Sequence, residues 1–164
     1  MAIVDEILYI KSFREQQAET ALHRSRQELR IAHEIENQAR AKRDDFQRSA
    51  LRMEDQWYRE LCARVVRVRD IENLHASIAG LRRTQQQLDQ DLDARLRERE
   101  QAQEHMKQSS EHHRLASVAR SKFTELARIH EVARVLETER REESELEELA
   151  SASRDREEWG AGNG

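Results

Sequence analysis

Any chemistry in this 164-residue chain would have to come from seven histidines, one cysteine or its paired acids. His105, His112 and His113 cluster in sequence. On a helix, residues 105 and 112 lie about 10.5 Å apart along the axis, whereas a zinc-type ion holds its nitrogen ligands at about 2.1 Å. One ion cannot take both, and neighbours such as His112 and His113 point about 100° apart. Asp44–Asp45 and Glu142–Glu143 have no surrounding cleft in which a carboxyl would act as general acid or base. No glycine loop is present that could cradle a phosphate. Cys62 stands alone, so an internal disulfide and a thiol-rich metal site are both excluded. Arg64 lies two residues on, and a bystander thiol is the expectation. The sequence thus predicts no catalytic residue, no metal site and no cofactor.

The elements that carry these side chains follow from what the chain lacks. It has no proline and four glycines, and three of those (Gly160, Gly162, Gly164) fall in the last five positions. Sheets and α/β layers need turns, and turns draw on Gly and Pro. Charged residues reach 38% and aromatics only 4%, a composition of long helices and coiled coils. Basic and acidic groups, 29 against 33, nearly cancel, which argues against a disordered polyelectrolyte. They are spread without a basic face, so nucleic-acid binding is not expected. No apolar run of about 18 residues exists and the start lacks a signal-peptide layout, so a cytoplasmic protein without membrane insertion is expected.

Apolar positions step by three and four from Ile3 onward, through Ile7, Ile10, then Ala18, Ala21 or Leu22, Leu29, Ala32, Ile35 and Ala39. Phe46, Ala50, Met53, Trp57 and Leu61 form the strongest run. The second half continues with Leu74, Ile78, Leu81, Gln85, Leu88, Leu92 and Leu96, then Phe123, Leu126, Ile129 or His130, Ala133 and Leu136. So narrow a stripe is a coiled-coil seam. Acid-before-base pairs at i,i+4 suit a solvated outer face: Glu36–Arg40, Asp55–Arg59, Asp91–Arg95, Asp93–Arg97 and Glu137–Arg141.

A single helix of some 155 residues would run about 230 Å with its seam bare, so the seam needs a partner. Cys62-Ala-Arg-Val-Val-Arg-Val-Arg-Asp70 gathers three β-branched valines and ends on an aspartate suited to an N-cap, with Glu72 favourable in the first turn. The sequence therefore predicts an all-α, antiparallel two-helix coiled-coil hairpin. Its first helix is expected over 1–61, the tip over 62–69, the second helix with its acidic end over 70–158 and a disordered tail over 159–164. Residue n would face about 132 − n, leaving a chain that is monomeric in isolation. A parallel homodimeric scaffold or chaperone is the alternative.

One feature exceeds a bare seam. Beside the core stripe runs a second one, Gln47, Leu51, Glu54 and Tyr58, which a two-helix hairpin leaves at least partly wet. These residues either flank the seam or meet a third body.

At this point the chain resembles the FliJ/YscO stalk proteins of flagellar and injectisome type III secretion, the YscO branch most closely. Leu51-Arg-Met-Glu-Asp55, the stretch Arg69-Asp-Ile-Glu-Asn-Leu-His-Ala-Ser-Ile-Ala-Gly-Leu-Arg82, and Lys122-Phe123-Thr-Glu125-Leu126 carry the resemblance. It implies an antiparallel hairpin whose open end enters the hexameric secretion ATPase, and which binds an export gate protein and substrate chaperones. It also implies a cytoplasmic place beside the inner membrane, held there by the secretion apparatus. Gate-binding residues carried over by position are Gln47, Leu51, Glu54 and Tyr58 with Leu74, Ile78, Leu81 and Gln85. Glu54 stands where FliJ proteins have an aromatic, Leu74 replaces Phe or Trp, and Gln85 replaces His. For Leu74, Ile78 and Leu81 the seam offers an equal, buried reading. The ring-contacting surface is expected at Ile3, Val4, Ile7, Leu8, Phe123, Leu126 and Leu136, for which seam packing is the rival. Residues 137–148 hold seven Glu against two Arg and are expected as a solvated helix end, with docking on a basic surface as the alternative.

Overall fold

The computed structural model describes residues 3–162. Among them there are two helices and no strand: α1 (Ile3–Cys62) and α2 (Val68–Ala161). They pair antiparallel as a helical hairpin. Residues 159–161, expected as disordered tail, continue α2; no proline occurs in the chain and no β-branched residue follows Thr138. Residues 1, 2, 163 and 164 of the expected segments lie outside the described residues.

The turn spans 63–67, inside the expected 62–69. Val65 is 95% exposed and contributes nothing to packing, so this segment turns because valines hold a helix weakly. Asp70 acts differently from the expected N-cap. Its Oδ2 accepts the backbone N–H of Arg67 at 3.1 Å, the reach-back of a capping box from the third helical position. The backbone N–H of Asp70 in turn donates to the Arg67 carbonyl at 3.0 Å. Gly80 lies within continuous α2.

The chain divides into two compact units, one over Ala18–His113 and one over 3–17 with 114–162. In the first, Ala18, Leu22, Ser25, Glu36 and Ala39 of α1 and Leu74, Ile78 and Leu92 of α2 are buried. The α1 members keep the 4,3 step of a heptad seam, and half-buried Leu29 and Ala32 fill the gap. Ser25 Oγ donates to the Leu22 carbonyl at 2.9 Å, so its buried hydroxyl is satisfied on its own helix.

Glu36 corrects the expectation of a purely solvated Glu36–Arg40 pair. Its side chain is turned into the seam and takes Arg40 Nη2 at 3.2 Å and Arg99 Nε at 2.9 Å. Arg99 also donates to Gln103 Oε1 at 2.9 Å, completing a polar layer. Burial would push the Glu36 carboxyl up, but the hydrogen bonds from Arg99 and then Arg40 outweigh it and hold the group below the ordinary carboxylate value. The Glu36–Arg99 contact puts residue n opposite about 135 − n, a few residues away from the expected 132 − n. Asp55–Arg59 and Asp91–Arg95 do pair on the outer face.

In the second unit the seam is Val4, Leu8, Lys11 and Glu15 against Ala116, Ala119, Phe123 and Ala127, all half-buried. Lys11 Nζ lies 5.4 Å from the Phe123 ring centroid, and Arg120 Nη1 lies 3.4 Å from Glu15 Oε2. Ile3, Ile10, Leu126, Ile129 and Leu136, placed in the seam by spacing alone, are exposed instead. Two apolar stripes offset by one residue (Ile3 beside Val4, Ile7 beside Leu8) made the choice ambiguous by period.

Candidate partner-binding site

The unpaired stripe of α1 meets α2 in a shallow groove of about 200 Å³. Gln47, Ala50, Leu51 and Glu54 line one wall, and Leu81, Arg82 and Gln85 the other. Helical spacing explains the first wall, because 47, 51 and 54 fall one position off the 46, 50, 53, 57 series. Leu51 is 60% exposed and Tyr58 50%, so both stand clear of the seam as expected. Leu74 and Ile78 do not share that surface. They are buried against α1, which corrects their place among the contact residues: the 74, 78 step of four carries them into the seam. Leu81 and Gln85 are half-buried at its edge.

The groove is lined by both apolar and polar side chains. Glu54 is largely covered and lies 3.6 Å from Arg82 Nη2, whose own side chain is 77% exposed. Gln85 Nε2 donates to Asp89 Oδ1 at 3.2 Å, while Gln85 Oε1 is buried without a hydrogen-bond partner among the described residues. Ala50 and Arg82 were absent from the sequence-based site. Ala50 was counted as core, and Arg82 carried no sign of its reach across to Glu54. Nearer the turn a second hollow, about 190 Å³, is lined by Trp57, Leu61, Arg64, Asp70 and Leu74 among others.

The expected ring-contacting residues fall into two sets. Ile3, Leu126 and Leu136 are exposed, whereas Val4, Ile7, Leu8 and Phe123 are half-buried in their unit. Spacing missed Tyr9, Phe13, Leu115, Val118, Val132 and Val135, which are equally open. From residue 128 to 162 every residue is exposed, residues 137–148 included.

No group of three or more His, Cys, Asp or Glu among the described residues is placed to hold a metal ion. His105 and His112 are exposed and His113 is half-buried. Asp44 pairs with Arg43 and Asp45 with Arg48, so this acid pair is engaged on its own helix. Cys62 is exposed at the end of α1. No helix among the described residues is long and apolar enough to cross a membrane.

Fold and groove together define an all-helical hairpin protein whose candidate sites are contact surfaces. The family model for type III secretion protein YscO matches residues 4–152, and the chain belongs to this YscO family of type III secretion proteins. Among solved structures, a 2.8 Å crystal structure of type III secretion protein YscO from Vibrio parahaemolyticus is similar in fold, with a TM-score of 0.80. The two are 22% identical, and the match covers 89% of this chain and 92% of that one. None of the curated protein sequences compared with the chain matches it.

Proposed function

We propose that this YscO-family protein is the central stalk of a type III export apparatus. In this reading the unit built from 3–17 and 114–162 engages the hexameric secretion ATPase, through Ile3, Val4, Ile7, Leu8, Phe123, Leu126 and Leu136. The tip groove and Tyr58 meet the export gate protein and substrate chaperones. Family membership supports the secretion role. The observation that carries the finer reading is the open groove in which Gln47, Leu51 and Glu54 face Leu81 and Gln85. Five of the eight residues carried over by resemblance line it, from both helices.

A stalk needs no chemistry of its own. ATP hydrolysis belongs to the ring, and the protein sits on the cytoplasmic side of the inner membrane through the apparatus it serves. The parallel-dimer alternative loses its basis, because the chain pairs with itself.

The test is to measure hydrolysis and hexamer formation by the cognate ATPase with and without this protein. Stimulation of either, lost in Leu126→Asp, is the expected result. No binding and no change in either would overturn the reading.

A further inference from the structure

The groove between α1 and α2 holds two acceptors that its own donors leave short. The Glu54 side chain is only 25% exposed, yet Arg82 Nη2 stands 3.6 Å from it, beyond hydrogen-bond length. The carboxylate takes no hydrogen bond from any described residue. Gln85 Nε2 donates to Asp89 Oδ1, which fixes the leftover end of that amide as its oxygen. That oxygen is buried with no hydrogen-bond partner among the described residues. Ala50, Leu51 and Leu81 supply the apolar lining.

A shielded acceptor with spare capacity is where a new donor counts most, because little water is there to compete. Arg82 is the opposite case. Its side chain is 77% exposed and its head is already solvated, so a fresh acid would gain little from it. What the groove lacks is a donor. Its volume, about 200 Å³, falls below the roughly 300–1,000 Å³ of small-molecule sites, which suits one side chain of a docked protein. Lysine and arginine join an apolar stem to a head that only donates. Arg82 already shows that a guanidinium can approach Glu54 from across the groove.

We propose that the groove receives a basic side chain of its protein partner, which displaces Arg82. The stem lies against Ala50 and Leu81, and the head donates to Glu54, with the Gln85 amide oxygen as second acceptor. This rests on the reading of the groove as the surface that meets the export gate protein and substrate chaperones. Glu54 then sets specificity, and Arg82 is an internal competitor for it.

Calorimetric titration of the full chain with the cognate export gate protein and with a substrate chaperone tests the inference. For whichever protein binds the parent, Arg82→Ala should tighten binding about threefold. Glu54→Gln should weaken it at least fivefold, and adding Arg82→Ala to Glu54→Gln should bring no gain. Binding that Arg82→Ala fails to tighten, or that Glu54→Gln fails to weaken, overturns the basic occupant while leaving the groove a docking surface. If the parent binds neither protein, the reading of the groove as their surface fails. The occupant is then read by NMR with N-acetyl-arginine amide at about 50 mM. Leu81 methyl shifts in Arg82→Ala that vanish in Arg82→Ala/Glu54→Gln sustain it, and no shift in Arg82→Ala overturns it.

Discussion

Arg99 Nε donates to Glu36 Oε2 across 2.9 Å, joining α2 to α1 where Glu36 is only 6% exposed. Either residue alone would be a charge shielded from water without its partner, and together with Arg40 and Gln103 they satisfy one another. Arg99→Leu should therefore lose roughly 2 kcal/mol of stability, less than a deep pair because a two-helix layer shields it thinly. The double variant Glu36→Leu/Arg99→Leu should recover most of that loss. Urea unfolding of the four proteins in the cycle gives the coupling directly.

The same carboxyl makes stability depend on acid. Its folded pKa lies below the ordinary 4.5, so folding favours the ionised form. That contribution is complete above the ordinary value and is lost as pH falls through the lower folded pKa. Melting temperature should fall below pH 4.5 more steeply in the parent protein than in Glu36→Gln, as read by circular dichroism across pH 3 to 6.

On the proposed function, Leu51→Asp in the groove and Tyr58→Asp outside it should each weaken binding of the export gate or chaperone at least tenfold. Both side chains are half exposed or more, so stability should shift by no more than about 0.5 kcal/mol. Leu74→Ala should do the reverse in stability, losing about 2–4 kcal/mol from the seam. Calorimetric titration beside thermal melting separates the two effects.

Gly80 sits in the interior of α2, where an added methyl would meet nothing nearer than the Arg83 guanidinium at 3.9 Å. Glycine there loses backbone entropy on folding without a steric reason. Gly80→Ala should raise stability by about 0.5–1 kcal/mol, seen as a higher urea midpoint at unchanged slope.

The hairpin, its turn and the wet stripe at Leu51 and Tyr58 were legible in the sequence, because period and glycine poverty are local signals. Leu74 and Ile78 were not separable from a surface by spacing, since a resemblance placed them outside and the seam inside. Glu36 was hidden by its own helix: an acid four residues before Arg40 reads as an outer pair, and nothing local announces Arg99, 63 positions away. At the chain ends, adjacent stripes such as Ile3 and Val4 gave the period two answers. Only the pairing of α1 with α2 chose between them.

From residue 128 to 162 every residue of α2 is exposed, and ion pairs along its own length, Glu131–Arg134 and Glu137–Arg141 among them, brace it. Ionic strength weakens such braces, whereas a seam is indifferent to it. Amide protons in this stretch should therefore trade with heavy water far sooner than those of Ala18–His113, and sooner still in added salt. Occupancy by a binding partner would then be visible as a slowing confined to this stretch.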